Sequence, residues 1–87
     1  MPDLLWVHFH GIDDAGHTYG PGSPEEEAAI ATVDALLGRI LDALPEDALV
    51  LIVADHGMHP VQEESRLGNH GQLIARDMLI PVFVLEP

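Results

Sequence analysis

Eighty-seven residues limit the chain to one small domain, a size at which only ~60% of the unfolded surface is buried and the core is marginal. Fifteen acids against three arginines and no lysine give a net charge of −12 at pH 7, which argues against nucleic-acid backbones and anionic membranes as partners. The absence of cysteine excludes disulfides and thiolate sites, and no apolar run approaches the ~20 residues of a membrane span, so the chain reads as soluble and cytoplasmic.

Leu4 to Gly11, "LLWVHFHG", is apolar with aromatic and β-branched members and predicts a strand. The stretch "SPEEEAAIATVDALLGRILDAL" predicts a long helix. Ser23 is the N-cap, Pro24 suits the first helical position, Glu26 completes a capping box, and Pro45 stops the helix. Its apolar stripe is Ile30, Val33, Leu37, Ile40, Leu41 and Leu44. Leu49 to Ala54 is continuously apolar, as in a strand covered on both faces. Leu79 to Leu85 has the same character, with Pro81 marking an irregular start. The polar span between these two runs reads as loop, with a short helical turn near Leu73 to Met78.

Strand, helix and strand in this order predict a βαβ unit with a parallel pair and a right-handed crossover. The third strand is expected in the same sheet. The fold class is therefore α/β, a small parallel three-stranded sheet in a single domain over 1–87. One helix covers one face only, so a second copy or a companion segment is expected on the other.

Parallel strands bring their carboxyl ends to one edge, where open α/β sheets bind ligands. "GIDDAGHTYGP" follows the first strand and "DHG" the second. Asp13 and His17 stand four apart, so a helical or turn-like loop aims both at one point. Gly57 breaks the strand and lets Asp55 and His56 face a common ligand. His70, between glycines in "GNHG", folds back over the same rim. Mixed imidazole and carboxylate donors suit zinc, manganese or iron, and bound cations would also offset the acidity that repels an anionic substrate. His8, His10 and His59 are read as structural.

"IDDAGHTYGPGSPE", "VDALLGRIL", "VADHGM" and "GNHGQL…DMLIPVFV" together resemble the alkaline phosphatase superfamily, in its type I phosphodiesterase and nucleotide pyrophosphatase branch. The resemblance implies a site of two divalent ions, commonly zinc, with manganese as the alternative. Asp13, His17 and His70 match the ligands of one ion; Asp55 and His56 match two ligands of the other. It further implies hydrolysis of a phosphate ester by a metal-activated serine or threonine.

The family's nucleophile and one aspartate ligand lie N-terminal to D-x-x-G-H, where this chain has twelve residues. Thr18, Ser23, Thr32 and Ser65 are its only aliphatic hydroxyls, and none has a nucleophile's setting. The expectation is the C-terminal half of a catalytic core, binding metal but weak or inactive alone and completed by a companion N-terminal half. The alternatives are a non-enzymatic interaction module retaining relic ligands and half of a phosphosugar mutase.

Overall fold

Two helices open residues 2–87, the part that the computed structural model describes. Helix α1 spans Gly11–Tyr19 and α2 spans Pro24–Ala43. They join through a turn in which Gly20 (φ 100°) and Gly22 (φ 78°) adopt the left-handed backbone that favours glycine. The expected cap forms: the Ser23 hydroxyl accepts the Glu26 N–H at 3.2 Å. Glu26 returns its carboxylate to the Gly22 N–H at 2.9 Å rather than to the cap residue itself, tying the turn to the helix. Ser23→Ala is expected to lower the unfolding free energy by about 1 kcal/mol, read from a shifted urea midpoint.

Beyond α2, whose C-cap Leu44 precedes Pro45, come strand β1 (Val50–Val53) and two short strands, β2 (His59–Pro60) and β3 (Gly68–Asn69). A one-turn helix α3 (Ala75–Met78) follows, near the expected turn, and β4 (Val82–Leu85) starts directly after Pro81. Helices and strands are thus mixed, as an α/β chain requires.

The parallel three-stranded sheet is not there. Strand β1 pairs antiparallel with β4, Val50 opposite Leu85 and Val53 opposite Val82, and β2 pairs antiparallel with β3. Leu4 to Gly11 forms no strand; Gly11 already belongs to α1. Continuous apolar runs report expected cover on two faces and carry no information about strand direction. Direction comes from the connection, and here the span holding β2, β3 and α3 returns the chain against β1.

The apolar stripe of α2 is legible, since Val33, Leu37, Ile40, Leu41 and Leu44 are half-buried, with Ile30 left exposed. Among the described residues no apolar side chain is fully buried, and Trp6 is 82% exposed. The β1–β4 ribbon is largely uncovered: Leu51, Val53, Val82, Phe83, Val84 and Leu85 are exposed, while Val50 and Ile52 are half-buried. No helix of the described residues is long and apolar enough to cross a membrane.

Candidate metal centre

Three imidazoles converge on one carboxylate oxygen. Asp13 and His17 lie one turn apart on α1, with His17 Nε2 3.3 Å from Asp13 Oδ1. His56, just beyond β1, and His70, just beyond β3, each bring Nε2 to 3.5 Å from that same oxygen. Asp13 Oδ1 is buried and has no hydrogen-bond partner. Such an atom demands an explanation, because a desolvated acceptor left unpaired costs about 1–3 kcal/mol.

Proton bookkeeping supplies one. His17 Nδ1 lies 2.9 Å from the Gly68 carbonyl, and His56 Nδ1 2.7 Å from the Gly57 carbonyl. A carbonyl only accepts, so both Nδ1 atoms carry hydrogen, which leaves Nε2 of each ring as the atom that can offer a lone pair to a cation beside Asp13. With Nε2 as a lone-pair donor, acceptor faces acceptor across this gap, an arrangement that a cation between them makes favourable. The 3.3 Å and 3.5 Å separations exceed the ~2.7–2.9 Å of a charged N–H···O pair. They match the edge of a tetrahedral site with bonds of ~2.0–2.1 Å, which is roughly 3.3 Å. Asp13, His17 and His70 also place one ligand atom each within 4.8 Å of the others. The donor set therefore fits a divalent cation, and carboxylate with imidazole is the chemistry that zinc accepts.

Asp55 and His56 sit beside this group. His56 Nε2 is 3.5 Å from Asp55 Oδ1 as well as from Asp13, so it stands between the two carboxylates. The His56 and His70 rings stack with centroids 3.5 Å apart. Asp13, His17, His56 and His70 thus come together, with Asp55 reaching the group only through its neighbour His56, although the parallel sheet edge expected to gather them is absent. Helix α1 does the work for Asp13 and His17.

Close backbone approach holds the segments that carry these residues. The Leu67 N–H donates to the His17 carbonyl at 2.8 Å, which docks the start of β3 on the last turn of α1. A Cβ on Gly68 would overlap the Gly16 carbonyl, so the two segments meet backbone to backbone.

Of the three histidines read as structural, His59 donates Nδ1–H to both oxygens of Asp77, at 2.8 and 2.9 Å. His8 Nε2 lies 3.8 Å from Asp55 Oδ2, and its ring packs against His10 at 4.2 Å. Asp77 itself escaped the sequence reading; flanked by Arg76 and Met78, it carries no local signal of burial. Burial pushes its carboxyl up, but hydrogen bonds from His59 and the Gln72 amide, aided by the positive potential of His59 and His70, hold it below the ordinary 3.8. A lowered folded-state value stabilises the chain above the unfolded carboxylate's range, and that contribution is lost as pH falls through the lowered value. Acid titrations of stability are therefore expected to be steeper for the wild type than for Asp77→Asn.

Fold and site together define a small α/β chain that presents a carboxylate-centred cluster of imidazoles suited to a divalent cation. The chain belongs to the type I phosphodiesterase / nucleotide pyrophosphatase family, whose model matches residues 1–83. It is 39% identical to GPI ethanolamine phosphate transferase 3 of Eremothecium gossypii over 69 residues, 79% of this chain and 6% of that protein. With the catalytic subunit of human GPI ethanolamine phosphate transferase 3 it shares 29% identity over 85 residues, 98% of this chain and 7% of the relative. An uncharacterized pyrophosphatase/phosphodiesterase of Schizosaccharomyces pombe is 31% identical over 67 residues, 71% of this chain and 14% of that protein. The chain thus spans a small fraction of the length of these relatives. No solved structure matches.

Proposed function

We propose that this chain is the metal-holding part of a site that cleaves or transfers phosphate esters. The observation that carries the reading is the buried, unpartnered Asp13 Oδ1 facing the Nε2 atoms of His17, His56 and His70. Asp13, His17 and His70 hold one divalent ion, zinc or manganese, while Asp55 and His56 contribute to a second. Bound there, such ions supply Lewis acidity and a template for phosphoryl oxygens. They also bring positive charge to a chain of net charge −12, which a phosphate ester otherwise avoids.

Hydrolysis was the expectation from the sequence, whereas the names of the relatives include ethanolamine phosphate transferases. Transfer and hydrolysis share attack on phosphorus and differ in what receives the phosphoryl group. The same metal-holding residues serve either. Two of the chain's hydroxyls are committed to helix structure: Ser23 caps α2, and Thr32 donates to the Ala28 carbonyl at 3.1 Å. This supports an attacking group supplied from outside the chain. The exposed apolar faces of β1 and β4 support a companion segment or second copy as the partner that covers them.

The test is metal content after purification without chelator, paired with hydrolysis of a chromogenic phosphodiester with added zinc or manganese. Metal uptake that depends on Asp13, with little turnover by the chain alone, is the expected result. Wild-type protein that takes up no metal would overturn the reading.

A further inference from the structure

Asp77 is the one charged residue of the described chain that is nearly sealed from water, at 2% exposed, and it lies outside the ligand set. Its carboxylate accepts His59 Nδ1–H at 2.8 and 2.9 Å and the Gln72 backbone N–H at 2.9 Å. Its own carbonyl accepts the Gly57 N–H at 2.8 Å. These partners lie on both segments that reach over to Asp13. Gly57 and His59 follow Asp55 and His56 directly, and Gln72 stands two residues after His70. A buried carboxylate is tolerable only when donors satisfy it, so burial of this charge favours keeping both segments in place.

We propose that Asp77 is a positioning residue for the metal centre: through Gly57, His59 and Gln72 it fixes the Asp55–His56 segment against the His70 segment. It thereby sets the spacing of the two stacked imidazoles around Asp13. The proposal rests on the reading of that cluster as a metal site. Groups that orient ligands without touching the metal are worth about 10–100-fold in metal affinity. A purely structural Asp77 would lower the melting temperature and leave the geometry of the loaded site alone.

Cobalt(II) titration of the full chain separates the two, because its visible absorption reports ligand geometry as well as affinity. Asp77→Ala is expected to bind cobalt about 10–100-fold more weakly and with an altered spectrum. Asp77→Asn, which keeps an acceptor oxygen, is expected to fall between it and the wild type. Thermal unfolding of the metal-free proteins shows whether each variant is folded. If Asp77→Ala does not fold, His59→Ala releases one side of the clamp and carries the same expectation. Wild-type affinity and spectrum in a folded Asp77→Ala or His59→Ala chain would overturn the proposal, whatever the melting temperature. Unchanged binding by Asp13→Ala would instead overturn the metal site on which it rests.

Discussion

Asp13→Ala is expected to weaken zinc binding by more than about 100-fold, beyond the ~10–100-fold typical of groups that only orient a ligand. The reason is geometric. Asp13 Oδ1 is the atom that all three Nε2 donors approach, at 3.3, 3.5 and 3.5 Å, so its loss removes the centre of the site and not one corner. The metal-free protein is expected to behave differently. Without a cation, the wild type holds a buried Asp13 oxygen with no hydrogen-bond partner, so removing that oxygen forfeits no hydrogen bond and relieves its desolvation cost. Asp13→Ala should therefore melt no lower than the metal-free wild type, and zinc should raise the melting temperature of the wild type only. Calorimetric titration alongside thermal melts checks both halves. A variant that binds zinc like the wild type would remove Asp13 from the site.

The second large effect concerns Gly57. An added Cβ would run into the Arg76 carbonyl, a backbone atom of α3 that cannot swing aside as a side chain can. Overpacking of this kind costs about 1–3 kcal/mol. The displacement also strains the Gly57 N–H to Asp77 carbonyl bond of 2.8 Å, a contact worth roughly another 1 kcal/mol. Gly57→Ala is therefore expected to destabilise the chain by about 3 kcal/mol in urea unfolding and to disturb metal binding along with it. Gly38, in the middle of α2, makes the contrast. Nothing lies within 4 Å of its added Cβ, and an alanine there is expected to stabilise the helix by roughly 0.5–1 kcal/mol. Equal effects at the two positions would show that close approach of α3 to Gly57 has no energetic consequence.

What the sequence revealed divides along the range of the interactions involved. The start of α2 is written in neighbouring residues: Ser23, Pro24 and Glu26 supply cap, first position and return contact within one turn. Asp13 and His17 are equally local, because a spacing of four on a helix places both side chains on one face. Strand direction is not local. Leu49 to Ala54 and Leu79 to Leu85 read as strands, and both contain one, yet nothing in either run states that they meet antiparallel. Leu4 to Gly11 shows the same limit from the other side. It has the composition of a strand, but a strand also needs a pairing edge, and this segment finds none among the described residues. His59 and Asp77, eighteen residues apart, meet only once the intervening loop has folded. The imidazole cluster forms without the expected sheet because Asp13 and His17 ride on α1 while His56 and His70 ride on two loops packed beside it.

Anomalous diffraction at the zinc edge, from crystals of this chain grown with zinc, tests the central claim most directly. The expected result is a peak ~2.0–2.1 Å from Asp13 Oδ1, His17 Nε2 and His70 Nε2. A zinc peak remote from Asp13, or none with zinc in excess, would contradict it and leave the imidazole cluster without a metal to explain it.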